Sequence, residues 1–190
     1  NRHIIYEERL HGKLESDDMQ NMAMAYAVSK EKKREVITKM ITELCVSGVN
    51  SIVKKEERLQ QIRSLFDLDG ITIYSESGAQ LVCRNGNYMV EVPDGRGLFE
   101  DEKYLALFGD DDNFIESNTL KLRFQDPAAF AVMQKQEIGA SLQCLSRKEG
   151  VPNVIVNFDV FNRNRKWSDE DITLLTILGH CIGNLLNYSE

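Results

Sequence analysis

The sequence predicts an α+β fold. Three observations carry this: helix-spaced apolar residues over the first third, strand-like alternation on both sides of the middle, and a capped amphipathic helix at the end. At 190 residues the chain can form one sizeable core with a helical extension. Hydrophobic residues make up 42% and charged residues 28%, which excludes wholesale disorder.

Taken in order, Ser16-Asp17-Asp18 offers a helix N-cap with acids in the first turn, and helical spacing continues to Asn50. Ile37, Met40, Ile41 and Leu44 form an apolar band wide enough for two partners, and Ser47-Gly48 marks a break. The charged run Lys30 to Glu35 is a solvated face or a passage between helices. A second helix spans Lys54 to Phe66, with Leu59, Ile62 and Leu65/Phe66 inward. Residues 1–34 are thus a helical extension or linker, and 35–190 one domain.

At Asp69-Gly70 the period changes. Ile71-Thr72-Ile73-Tyr74 and Leu81-Val82-Cys83 read as strands, joined by a turn at Ser75 to Gly78, and Asn85-Gly86 is a strong turn dipeptide. Residues 87–137 are the least regular, with a loop at Pro93 to Gly97 and a short helix near Glu100–Phe108. Another helix follows Asp126-Pro127, a cap with proline at the first helical position. Ser141 to Ser146 and Val154 to Phe161 are strands around a charged turn, Arg147 to Gly150. In the second of them Val154, Val156, Phe158 and Val160 alternate against Ile155, Asn157, Asp159 and Phe161, so one face is apolar and the other carries two polar groups. Ser168 caps the last helix, where Leu175, Leu178, Ile182 and Leu185 begin a heptad seam.

Net charge is −7, and its distribution excludes more than its size does. Residues 91–116 carry nine acids and two bases, which accounts for all seven excess charges and leaves the remainder balanced at 21 against 21. Such a chain lacks the positive footprint of a nucleic-acid binder. Asp110-Asp111-Asp112-Asn113 lacks the alternating acids and central glycine of a calcium loop and reads as a solvated loop. No apolar run is long enough for a membrane span. The start, Asn1-Arg2-His3, has neither an initiator Met nor an apolar signal segment, and the chain reads as a fragment of a longer, cytoplasmic protein. Four scattered cysteines and three histidines form no metal-binding spacing.

Residues 144–186 carry a resemblance. A strand ending near Leu145, a charged turn with Gly150, an apolar strand, the loop Asn162-Arg163-Asn164-Arg165-Lys166 and Trp167-Ser168-Asp169-Glu170-Asp171 leading into a leucine-rich helix are similar to the last third of a GAF domain. The helix running into Ile71-Thr72-Ile73-Tyr74 and then Leu81-Val82-Cys83 resembles that fold's opening, so the likeness covers roughly 35–190. Some cyclic-nucleotide-binding GAF domains carry an Asn-Lys…Phe…Asp-Glu signature. Asn162, Arg163, Trp167 and Asp171 resemble its first four members, with Arg for Lys and Trp for Phe, and Ile172 stands at the fifth. The resemblance implies structural bracing: an ion pair from Arg163 or Arg165 to Asp171 pinning the strand-to-helix connection.

It further implies a central antiparallel sheet of about six strands flanked by helices, with a pocket lidded by residues 87–137. The expected function is sensing a small molecule and passing a signal through the terminal helices to an effector domain, for example a diguanylate cyclase or histidine kinase. No catalysis is expected of the fragment itself, and no cofactor is named. Candidate ligand-binding residues are Arg96, Arg123, Phe124, Gln143, Asn157 and Asp159. The two-sided end helices imply a homodimer. Two alternatives stand beside this reading: a ligand-free dimerisation or interaction module whose pocket is filled by its own phenylalanines, and a free methionine sulfoxide reductase if Cys83 and Cys144 approach each other on neighbouring strands.

Overall fold

A computed structural model describes residues 2–47, 56–78, 80–84 and 94–188. Its contacts divide the chain between Val36 and Ile37 into two compact units. Helix α1 (Arg2–Ser47) runs without interruption through the expected cap at Ser16. The helix does not begin at Ser16, because a serine and two aspartates inside a helix cost only tenths of a kcal/mol each, and the flanking Glu, Arg, Leu and Met are good helix formers. In the first unit Met19, Met22 and Tyr26 follow one another at spacings of three and four and are 65–73% exposed.

In the second unit the end of α1 buries Ile37, Met40 and Leu44. Gly48 of the expected break and the Asn85-Gly86 turn lie outside the described residues. Helix α2 (Glu56–Leu65) buries Leu59 and Ile62, with Phe66 just beyond it, and Arg58 pairs with Glu43 of α1 at 2.8 Å.

Five strands form the sheet among the described residues: β1 (Gly70–Ser75), β2 (Gln80–Arg84), β3 (Asn113–Glu116), β4 (Ile138–Lys148) and β5 (Val151–Phe161). Their order is β2-β1-β5-β4-β3, and every pairing is antiparallel. Strand β3 has four residues in the acidic stretch and offers the sequence too short an alternation to be seen. The β4–β5 hairpin turns on Glu149 and Gly150, both at positive φ (54° and 84°), the geometry that matches the twist of the strands it joins.

One face of the sheet is covered by helix α6 (Asp169–Tyr188), whose Leu175, Leu178 and Ile182 are fully buried. Gly179 and Gly183 let it come close. A Cβ at Gly179 would stand 2.6 Å from the Cys144 Sγ, and one at Gly183 would run into Ser146. The opposite face is roofed by the crossover between β2 and β4. Its described part contains a 3₁₀ turn (Gly95–Phe99) and helices α3 (Glu102–Leu105), α4 (Leu122–Gln125) and α5 (Pro127–Lys135). Asp126 caps α5 by accepting from the Ala129 amide, and Gly95 lies flat against the Tyr74 ring, where any side chain would collide. Tyr104, Phe108, Phe114, Met133, Ile155 and Phe161 build the core on this side.

Candidate functional site

The site grows from strand alternation. Opposed residues of an antiparallel pair share a face. Thr72, Asn157 and Gln143 stand in register across β1, β5 and β4, and Asp159 faces Ser141 one step along. All five are buried, between 0% and 5% exposed, on the face beneath the crossover. A buried polar row must find hydrogen-bond partners or bear a desolvation cost.

Most of this row does. Ser141 Oγ donates to Asp159 Oδ1 at 2.5 Å, Gln143 Nε2 donates to Ser141 Oγ at 3.0 Å, and the Tyr104 hydroxyl, brought in by α3, donates to Gln143 Oε1. Burial pushes the Asp159 carboxyl up to about 7, against the opposing pull of the Ser141 hydrogen bond and the Arg84 charge. Burial likewise raises Tyr74 and Tyr104 well above the usual phenol range, and the Asp159 charge adds to both. Two oxygens of the row are left over: among the described residues, Thr72 Oγ1 and Asn157 Oδ1 have no hydrogen-bond partner.

Above the row is a cavity of about 90 Å³. Tyr74, Asn157 and Gln143 form its floor, Ala129 and Met133 of α5 its roof, and Tyr104 one wall. Asp101, which caps α3 through Oδ1, also borders it, and among the described residues the lining contains no lysine, arginine or cysteine. A wider cleft of about 400 Å³ opens beside Asn118, Glu137 and residues 162–164. Two of its polar side chains already have partners: Asn162 donates to Glu137 Oε2 at 3.2 Å, and Arg163 pairs with Asp67 at 3.0 Å.

Of the residues singled out from sequence, Gln143 and Asn157 line the cavity, and Asp159 lies behind it at the end of the hydrogen-bond chain. Arg96 stands on the exposed 3₁₀ turn, where it pairs with Asp94. Arg123 stacks 5.9 Å from the Phe124 ring, Phe124 is 87% exposed, and neither borders the cavity. The connection into α6 is tied by Arg165, which reaches Asp171 at 2.8 Å, donates to the Phe66 and Asp67 carbonyls and stacks 4.4 Å from the Trp167 ring. Asn162 adopts a positive φ of 55°, and Trp167 donates to the Glu116 carbonyl at 3.3 Å.

Cys83 and Cys144 do not approach each other. Both point to the α6 side, and β1 and β5 lie between their strands, a gap of about 14 Å at ordinary strand spacing. Burial also raises the Cys144 thiol, the opposite of what a nucleophile needs. Ser141 was accessible to sequence reasoning, because it alternates with Gln143 on a predicted strand. Tyr104 was not, since its partner lies 39 residues away.

An antiparallel sheet with helices on one face and a cavity roofed by a crossover on the other defines an α+β architecture. It is the fold of GAF domains. The phycoerythrobilin-bound GAF domain from a cyanobacterial phytochrome superposes with a TM-score of 0.62 at 10% identity, covering 86% of this chain and 97% of that one. The phycocyanobilin-bound GAF domain from a cyanobacterial phytochrome gives 0.61 at 11% identity, with 83% and 94% covered. The photoproduct state of GAF3 from Slr1393 of Synechocystis sp. PCC6803 gives 0.51 at 14%, with 74% and 94% covered. No family model and no curated protein matches the sequence. Among the described residues no helix is long and apolar enough to cross a membrane.

Proposed function

We propose that the chain is a regulatory sensor domain: a small molecule enters the cavity over Asn157, orders the crossover against the sheet, and biases the helices that continue from the domain. The observation that carries this reading is a roofed cavity with the buried Asn157 Oδ1 in its floor, an oxygen without a hydrogen-bond partner among the described residues. A ligand that binds one arrangement of the crossover better than another shifts the population between them. The effector would be a covalently linked output module such as a diguanylate cyclase or histidine kinase, working in the cytoplasm, with the fragment itself non-catalytic. The helix connection would be braced by Arg165 and Asp171, with Asn162, Arg163 and Trp167 in the same loop.

The bilins named for the solved neighbours suit this chain poorly. A cavity of about 90 Å³ is far smaller than a tetrapyrrole. Among the described residues its lining also offers no cysteine for a thioether and no cation for a carboxylate. A homodimer through the terminal helices is part of the proposal, supported by the exposed seam of Met19, Met22 and Tyr26. The interaction-module reading keeps one specific support, the aromatic packing of Tyr104, Phe108 and Phe114 that fills much of the space under the crossover.

The test is a ligand screen by thermal shift and amide-proton NMR, with sedimentation over a concentration series alongside. Saturable shifts at Tyr104, Gln143 and Asn157 are expected, with a monomer–dimer equilibrium. Failure of every compound to perturb these residues would leave the interaction module in place of the sensor, and a monomer at all concentrations would remove the dimer.

A further inference from the structure

Asn157 is 5% exposed, its Oδ1 has no hydrogen-bond partner among the described residues, and it borders the cavity. Two polar neighbours in the cavity lining are committed elsewhere. Gln143 spends its oxygen on Tyr104 and its nitrogen on Ser141, and Gln136 accepts from Arg84 at 2.9 Å. A carboxamide presents one acceptor and two donors side by side, so its full complement is a group with an adjacent N–H and C=O. The same two-point logic lets asparagine pair with the edge of an adenine.

The rest of the lining narrows the class. With no lysine or arginine among its described residues and the Asp101 carboxyl at its border, the cavity disfavours an anion. Tyr74, Met133 and Ala129 supply an apolar enclosure that suits a compact, uncharged body. A cavity of about 150 Å³ accepts benzene, so about 90 Å³ admits on the order of four non-hydrogen atoms, the size of acetamide, and a five-membered lactam enters only as the roof moves outward.

Resting on the sensor reading above, we propose that the cavity recognises a small uncharged molecule through an amide edge, a neighbouring N–H and C=O that pair with the carboxamide of Asn157. A primary amide or small lactam has this edge. A carboxylate, a simple ketone or a phosphate ester does not. Recognition is therefore selective for the N–H: an analogue that keeps shape and carbonyl but lacks that donor leaves the Asn157 oxygen buried and unpaired.

The experiment titrates the ¹⁵N-labelled chain with acetamide and 2-pyrrolidinone, and with their controls acetate, acetone and cyclopentanone, following the Asn157 side-chain amide resonance and Tm. Cyclic GMP and biliverdin serve as probes of other classes. Acetamide and 2-pyrrolidinone are expected to shift the Asn157 resonance saturably in the millimolar range, with acetone and cyclopentanone at least tenfold weaker. Asn157→Leu is expected to abolish that discrimination while retaining a cooperative melt. The wild-type resonance carries the test if the variant does not fold. Equal binding of cyclopentanone and 2-pyrrolidinone, tighter binding of acetate, or undiminished amide binding by Asn157→Leu would overturn the amide edge and leave the sensor standing. So would binding of cyclic GMP or biliverdin at the cavity with both amides silent. If no probe perturbs any cavity resonance, the sensor reading falls with the proposal.

Discussion

Arg165 holds Asp171 at 2.8 Å with both side chains nearly buried, at 11% and 8% exposure, and the same guanidinium donates to the carbonyls of Phe66 and Asp67. One cation thus fastens the start of α6 to the end of α2. Since α6 covers the sheet and α2 leads into β1, this contact joins the two helices that frame the domain.

Removing one partner strands a buried charge, so Asp171→Asn should destabilise the second unit by about 3 kcal/mol. Arg165→Lys should cost a similar or smaller amount, because an ammonium cannot hold the carboxylate and both carbonyls in one plane. Urea unfolding followed by Trp167 fluorescence measures both. A loss below about 0.5 kcal/mol in Asp171→Asn would show that the pair is dispensable.

Asp159 should make stability depend on pH in the sense opposite to an ion-paired carboxylate. Its carboxyl is pushed up to about 7 in the folded protein, while in the unfolded chain it titrates near the ordinary value of 3.8. Between those values the folded state holds a proton that the unfolded state has lost. Stability therefore falls as pH rises from about 4 to 7 and levels off above, a loss on the order of 4 kcal/mol. Asp159→Asn keeps an acceptor for Ser141 and should be more stable than wild type at pH 8 but not at pH 4. Identical slopes for both proteins across that window would show that another group is responsible.

Gly179 faces Cys144 and Phe158 where a Cβ would fall within 2.6 Å of the sulfur and 3.3 Å of the ring. Gly179→Ala gains helix propensity of about 1 kcal/mol but forces α6 off the sheet. Overpacking costs about 1–3 kcal/mol, so the net change should be a loss. Differential scanning calorimetry reads it as a lower Tm, and a raised Tm would mean that the helix–sheet spacing is slack.

The thiols should react in order of exposure. Cys45 is exposed, whereas Cys83 and Cys144 are buried and burial raises the Cys144 thiol further. Iodoacetamide with mass-spectrometric mapping should label Cys45 in the native protein and reach Cys83 and Cys144 only after unfolding. Rapid native labelling of either buried thiol would revive the sulfoxide-reductase alternative, as would loss of free methionine sulfoxide reduction in Cys83→Ser or Cys144→Ser.

Much of the fold was legible because it rests on local chemistry. The caps at Asp126 and Ser168, the turn at Glu149-Gly150 and the alternation of β5 each depend on residues within a few positions of one another. The start of α1 shows the limit of such local chemistry. A good cap sequence at Ser16 is only a local option, and a longer helix overrides it at little cost.

For the site, the sequence alone determined that Asn157 and Asp159 share one face of a strand whose other face is apolar, since side-chain direction in a strand alternates with every residue. Whether that polar face met water or a core was a tertiary matter. The crossover buried it, delivered Tyr104 to Gln143 from 39 positions away and left the Asn157 Oδ1 beneath α5 without a partner among the described residues. The choice between Arg163 and Arg165 was also tertiary: Arg163 was drawn to Asp67 and Arg165 to Asp171, although both lie in the same loop. Such pairings depend on distances between segments remote in the chain, which periodicity and capping do not encode.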